Sequence, residues 1–203
     1  MVQAIIFDLW ETLGSKGYKV SQELQKQFDI PYTSEYLHTY EHSIQLKIWD
    51  CPETMAKSFL EHFSVEITPE NIQHFIRIYG PYLHNSFLFP GMKELLHTLK
   101  EKYTLGLLSN TTNFERDFLD KHDIRPLFDV VVFSCDIAAL KPSEEMFSAI
   151  TTKLSLPYNE CLFIDDSKRN IAAAQALGMQ VIHFQSVTQL KEELRSLEII
   201  SLS

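Results

Sequence analysis

The sequence predicts an α/β fold: a parallel sheet with helices on both faces, interrupted after its first strand by an all-helical insertion. Three observations predict it. Residues 4–9 open with the apolar run Ala4-Ile5-Ile6-Phe7, long enough for a strand buried on both faces. From about Tyr18 to Phe87, apolar residues recur three or four apart, the spacing of one helix face. After "FPG" (89–91), helical and strand-like segments alternate, which indicates parallel strands joined by crossover helices.

The elements follow in order. In the insertion, "SQELQKQF", "SEYLHTYEHSIQLKIW", "PETMAKSFLEHF" and "PENIQHFIRIYGPYL" read as helices. Ser34, Pro52 and Pro69 stand at their expected starts, where a capping hydroxyl or a first-turn proline fits best. Beyond Gly91, "MKELLHTLKEK" reads as helix and "YTLGLLS" as strand, then "NFERDFLDKH" as helix and "FDVVVFS" as strand. "PSEEMFSAITTKL" is helix and "CLFID" strand; "KRNIAAAQALG" helix, "QVIHF" strand and "VTQLKEELRSL" helix. The implied division is a core of residues 1–14 and 87–203 and a helical domain of 15–86.

A chain of 203 residues can hold one sizeable core or a core with a smaller inserted domain. Its net charge of -9 argues against nucleic acid or an anionic membrane surface as partner, while leaving room for a locally positive site that takes a small anion. No apolar run approaches the ~18 residues of a membrane span. The start "MVQAIIFDLWETL" lacks a basic leader, so a cytoplasmic protein is expected. Cys51, Cys135 and Cys161 are too few and scattered for a disulfide framework or a zinc site, and read as buried or partly buried thiols. Nothing specifies an oligomeric state.

In open parallel sheets, ligands bind beyond the carboxyl ends of the strands. Strand one ends on Asp8, "YTLGLL" on Ser109-Asn110-Thr111, and "CLFI" on Asp165-Asp166-Ser167, while "VVVFS" leads on to Lys141-Pro142. Singly, each is an ordinary turn or capping residue. Together they bring acids, a hydroxyl, an amide and a lysine to one edge. Converging carboxylates repel unless a cation lies between them, and an all-oxygen donor set suits a hard ion such as Mg²⁺. A carboxylate can also act as a nucleophile, with the lysine offsetting charge and Ser109 and nearby amides holding phosphoryl oxygens. Phosphoryl transfer fits this set best.

The order "FDLWETL", "LLSN", "KP", "FIDDSKRNIAAAQALGM" resembles the four motifs of the haloacid dehalogenase (HAD) superfamily of hydrolases, over about two thirds of the chain, and the insertion resembles the family's helical-cap subgroup. The resemblance implies a Rossmann-like core and roles by position. Asp8 is the nucleophile and Lys141 steadies it and the substrate. Ser109, with the Asn110 backbone, binds phosphate, and Thr12 orients the first loop. Mg²⁺ is held by Asp8, the Trp10 backbone oxygen and Asp166, with Asp165 and Asn170 in outer-shell support. The substrate is then a small phosphorylated metabolite.

One position departs from this pattern. Phosphatases of the superfamily carry a second Asp two residues after the nucleophile, which protonates the leaving oxygen and later activates water. Here that residue is Trp10, and an indole can do neither. The loss corresponds to on the order of 10²–10⁴ in rate, or roughly 3–5 kcal/mol of barrier. Glu11 stands one residue too far along to substitute, and Trp10 is expected to act as an apolar wedge between core and cap. The family's dehalogenases also carry an aromatic here and need no metal. They have an early cap arginine, however, whereas this chain offers Lys16 and Lys19 and no arginine before Arg77, and the Asp165-Asp166 pair calls for a cation. Carbon–halogen hydrolysis is therefore the second reading. A non-catalytic member binding a phosphometabolite or a protein is the third. His38 and His42, four apart, lack a third ligand and read as surface or packing residues. Tyr36, Tyr40, Trp49, Phe59, Phe63, Phe75 and Tyr79 fall at helical spacings and are expected to form the insertion's own core.

Overall fold

Burial of all four residues of Ala4–Phe7 (β1) sets this strand at the centre of the molecule. The computed structural model describes residues 1–33 and 35–200, without the side chains of Tyr82 and Leu83, so the helix start expected at Ser34 lies outside the described residues. After β1 come Gly14–Ser15 (β2), Val20–Gln27 (α1), Tyr36–Ile44 (α2), Pro52–His62 (α3), Pro69–Tyr79 (α4), Tyr82–Asn85 (α5) and Phe87–Leu88 (β3). The alternating half follows: Met92–Lys100 (α6), Thr104–Ser109 (β4), Asp117–Lys121 (α7), Val130–Phe133 (β5), Ser134–Ile137 (α8), Glu144–Leu154 (α9), Cys161–Asp165 (β6), Lys168–Ala176 (α10), Gln180–His183 (β7) and Val187–Ser196 (α11).

Five strands form one parallel sheet in the order β5-β4-β1-β6-β7. Strand alternation divides its side chains between two layers. Ile5 and Phe7 face a cluster closed by α6, α7 and α11, through residues such as Leu96, Phe118 and Leu194. Ala4 and Ile6 face the opposite cluster, closed by Phe147 and Ile150 of α9 and Ala174 of α10. A third cluster belongs to the helical segment, where Leu24, Tyr36, Tyr40, Trp49, Phe59, Phe75 and Tyr79 are buried together with Phe63 packed on them. The aromatics expected at helical spacings are thus that segment's core. Trp10 packs against both this cluster and the α6/α7/α11 face, the wedge position read from the sequence.

Two segments differ from the sequence reading. The helix expected to run to Trp49 stops at Ile44, because the Asn113 side chain holds the Trp49 backbone at both its N–H (2.9 Å) and its carbonyl (3.1 Å). The Trp49 indole then donates back to the Ile44 carbonyl at 2.6 Å. Likewise "VVVFS" ends as strand at Phe133, since Ser134 opens the short α8 and uses its hydroxyl to accept from Thr111 N–H (2.9 Å) and donate to the Gln45 carbonyl (2.8 Å). Tertiary partners decided both ends, and no local pattern encodes them.

The chain leaves and re-enters the sheet domain through β2 and β3, which pair antiparallel with Gly14 opposite Leu88 and Ser15 opposite Phe87. Gly14 is required here: a Cβ would stand 2.4 Å from the Phe87 carbonyl oxygen and 2.5 Å from the Phe118 ring. Among the described residues no helix is long and apolar enough to cross a membrane.

Candidate active site

Asp8 follows the last residue of β1 and is carried past the sheet edge by a backbone bond from its N–H to the Ile164 carbonyl (2.9 Å). The other strand ends converge on it. Lys141 is 2% exposed, yet its ammonium is fully engaged. It donates to Asp8 Oδ1 at 2.5 Å, Asp165 Oδ2 at 2.7 Å and the Leu108 carbonyl at 2.8 Å, using all three of its protons. Asn110 fixes this loop from the other side: its Oδ1 accepts from the Lys141 N–H at 2.7 Å and its Nδ2 donates to the Lys141 carbonyl at 3.1 Å. The bond between Lys141 and Pro142 is cis.

Asp165 is fully buried and saturated. Besides Lys141 it accepts from the Ser167 N–H at 2.7 Å and from Asn170 Nδ2, 3.0 and 3.2 Å from its two oxygens. Asp166, the next residue, is exposed toward the cavity. Asp8, Asp165 and Asp166 each present an oxygen within 4.8 Å of the others, and they are the set of His, Cys, Asp and Glu side chains suited to a metal ion among the described residues. His38 and His42 touch each other, with ring centroids 4.1 Å apart, and both are exposed, as expected of surface histidines.

The electrostatics describe a site short of positive charge. Burial raises the Asp8 carboxyl to about 7; Lys141 opposes the rise, and the Asp165 and Asp166 charges add to it. Partial burial and the neighbouring Asp165 raise Asp166 to about 6. Lys141 is pulled down by burial, but Asp165 and Asp8 outweigh this and hold it charged, above its ordinary value. One buried cation shared between two carboxylates does not neutralise both. Among the buried polar atoms without a partner are three from the residues expected at this site: Ser109 Oγ, Thr12 Oγ1 and Asn170 Oδ1. Orphaned acceptors and hydroxyls around an acid cluster fit a bound cation and an anionic ligand.

Asp8, Lys141, Asn110, Asp166 and Trp10 line a cavity of about 560 Å³. Asn170 reaches its wall, while Asp165, Ser109 and Thr12 lie fully buried and do not line it. Asn110, expected at a phosphate, is tied by its side chain to the Lys141 backbone. The opposite wall comes from the helical segment, through Tyr18, Leu37, Tyr40 and Glu41.

The Trp10 indole is held by a buried carboxylate and an aromatic ring. Nε1 donates to Glu115 Oε2 at 2.5 Å and lies 3.3 Å from Thr111 Oγ1. Its ring meets Phe118 edge to face at 4.9 Å, and the Lys16 ammonium lies 4.6 Å from its centre. Glu115 is 1% exposed and also accepts from Lys16 Nζ at 3.0 Å, Tyr79 OH at 2.7 Å and Thr111 Oγ1. Sequence reading missed this buried carboxylate, because "NFERDF" carries it as an ordinary helical acid. It also missed Glu41 and Arg169, which meet at 3.3 Å across the cavity mouth; only their proximity in the fold marks them.

The sequence pattern of the haloacid dehalogenase-like hydrolase family matches residues 5–184. The phosphoglycolate phosphatase of Escherichia coli (strain K12) is 33% identical over 107 residues, 51% of this chain and 42% of that protein. Its counterpart in Haemophilus influenzae (strain 86-028NP) is 36% identical over 107 residues, 51% of this chain and 48% of the relative. The matched stretch thus spans less than half the length of these relatives. Among solved structures, a HAD family enzyme from Bacteroides thetaiotaomicron in complex with magnesium and inorganic phosphate aligns with TM-score 0.66 and 20% identity, over 92% of this chain and 96% of that one. A 2-haloacid dehalogenase from Pseudomonas syringae pv. Tomato DC3000 aligns with TM-score 0.62 and 18% identity, over 97% and 100%. At these identities the structural likeness establishes the fold.

Proposed function

The chain belongs to the haloacid dehalogenase-like hydrolases, and from that premise we propose that it is a Mg²⁺-dependent phosphatase of small phosphorylated metabolites, acting through an aspartyl-phosphate on Asp8. The single observation that carries the reading is Asp8 itself. It is a nearly buried carboxylate facing a cavity, bonded to one lysine and crowded by two further acids. A nucleophile with a pKa near 7 is half idle at neutral pH, and a cation beside it restores the carboxylate.

Asp8, Asp166 and the Trp10 backbone oxygen would hold the ion, with Asp165 and Asn170 fixing its surroundings. Bound there, Mg²⁺ neutralises phosphoryl charge and polarises the P–O bonds. Asp8 attacks phosphorus, and Lys141 holds that carboxylate in place and offsets the charge that gathers on the phosphoryl oxygens. The partnerless Ser109 hydroxyl is buried off the cavity and would reach a phosphoryl oxygen only after a local shift, and Thr12 steadies the first loop. Residues 15–86 form the cap that covers the crevice and selects the substrate, and the core comprises 1–14 and 87–203. The phosphatase names of the 33–36% identical relatives support this class of substrate. Three unpaired thiols fit a reducing, cytoplasmic setting.

Trp10 favours the second reading, carbon–halogen hydrolysis, because it removes the acid that a phosphatase uses. Against it stands the three-acid cluster, whose charge the single lysine among them does not neutralise and which suits a cation. Phosphate release from an activated aryl phosphate decides between them: it is expected to require Mg²⁺ and to vanish in Asp8→Asn. Chloride release from 2-chloroacids without metal, with no phosphatase turnover, would reverse the order of the two readings.

A further inference from the structure

Trp10 leaves the phosphatase reading without a proton donor on the first loop. We propose, resting on that reading, that Glu41 of α2 is the general acid and base of this site, so that proton transfer comes from the helical segment and not from the loop after β1. Glu41 lines the same cavity as Asp8, from the opposite wall. Its side chain is 22% exposed. Asn110 and Lys141 stand between the two: both line this cavity, the Asn110 amide clamps the Lys141 backbone, and Lys141 Nζ bonds Asp8.

The charged and titratable groups around it include Arg169 from α10, at 3.3 Å, Lys141 from the loop before α9, and Tyr40, His38 and His42 on its own helix. Arg169, Asn110 and Lys141 favour the carboxylate, yet burial outweighs them and lifts Glu41 above its ordinary value. A carboxyl raised in this way, facing the cavity that Asp8 also lines, is suited to hold a proton and pass it on. The other carboxylates nearby are engaged otherwise. Glu11 accepts from Ser15 Oγ at 2.7 Å and lies on the Asp166 side, where its charge adds to that of the acid cluster. Glu115 is buried behind Trp10 and does not line this cavity.

The chemistry balances. Asp8 Oδ forms a bond to phosphorus as the P–O bond to the leaving group breaks, and the departing oxygen takes the Glu41 proton. Water then attacks the phosphoryl group and gives its proton to the Glu41 carboxylate. The Asp8–phosphorus bond breaks, and phosphate leaves.

The test is Glu41→Gln, which keeps size and hydrogen bonding, assayed with Mg²⁺ on p-nitrophenyl phosphate and on glycerol phosphate. Nitrophenolate leaves without acid help and an alkoxide does not. The expected result is a kcat/KM loss on the order of 10²–10⁴ for the alkyl ester, with the aryl value within about threefold of wild type and a burst of nitrophenolate as the phosphoenzyme accumulates. Arg169→Gln, which breaks the ion pair but keeps the acid, is expected to leave the alkyl-to-aryl ratio unchanged. Equal losses on both esters would reduce Glu41 to a structural latch and overturn the proposal. So would no loss on either ester, or a selective loss in Glu11→Gln in its place. Wild-type protein that turns over neither ester with Mg²⁺ would instead refute the phosphatase reading on which the proposal rests.

Discussion

Raising the pH of the metal-free protein from about 5 to about 8 is expected to destabilise it, and Mg²⁺ is expected to reverse the loss. In the folded state Asp8 holds its proton up to about 7, because burial disfavours the charge; in the unfolded chain it loses the proton near 3.8. Between those values the folded state binds more protons than the unfolded one, so stability falls as pH rises. Of the rise from 3.8 to about 7, the part between pH 5 and about 7 falls in this experiment and is worth at most ~3 kcal/mol at about 1.4 kcal/mol per pH unit. Asp166, raised to about 6, acts in the same direction, though its exposure to solvent weakens the effect. Lys141, raised above its ordinary value, contributes stability that is lost only at pH above this window. A divalent cation competes with the proton on Asp8, so it should stabilise at pH 8 and do little at pH 5. The assay is urea unfolding in chelator at both pH values, with and without Mg²⁺, on wild type and Asp8→Asn. The variant cannot titrate at this position, so the difference between the two slopes isolates Asp8. Equal pH slopes in the two proteins, or a Mg²⁺ effect of the same size at pH 5 and pH 8, would refute the reasoning.

Three more outcomes follow from the same geometry. Lys141→Met leaves Asp8 and Asp165 buried without their cation, and metal-free unfolding should show a loss of about 3–5 kcal/mol, partly recovered when Mg²⁺ is added. Trp10→Asp should raise turnover of alkyl phosphates, by less than the full ~10²–10⁴ if Glu41 already moves the proton. The same change should cost about 3 kcal/mol through lost contact with Phe118 and Glu115, read as a lower urea midpoint. Glu115→Gln removes the charged partner of Lys16 while keeping an acceptor for Trp10, and a stability loss of about 1–3 kcal/mol is expected.

The sheet was legible because buried parallel strands and amphipathic helices write different periods, and because a polar residue ends or directly follows each of its five strands. Asp8, Asp165, Asp166 and Lys141 could be gathered on paper for that reason alone: the topology delivers strand ends to one edge whatever lies between them. The two-residue strands β2 and β3 were not legible, since a pair that short carries no alternation. Helix ends failed where a distant side chain took over, as Asn113 does at Trp49. Glu41 and Glu115 escaped for a related reason. Each sits on a helix with the spacing of an ordinary surface acid, and what makes it unusual is burial against residues from another part of the chain.

Trp10 joins these observations. As an aspartate it would be a solvated reagent at the cavity edge. As a tryptophan it packs on the apolar clusters of both the sheet and the helical segment, and it draws Glu115, Lys16 and Tyr79 into one buried network. The helical segment is therefore anchored over the crevice by the residue that displaces the usual acid. Asn113 on Trp49, Ser134 on Gln45 and Arg169 on Glu41 reinforce that seating. A segment held this firmly can carry the proposed reacting group, because the packing fixes its carboxylate relative to Asp8. In a protein that kept the aspartate, the donor would be in position whether the crevice were covered or open. On the proposed mechanism the proton donor depends on this seating, so a change that loosens the helical segment leaves Asp8 without its acid.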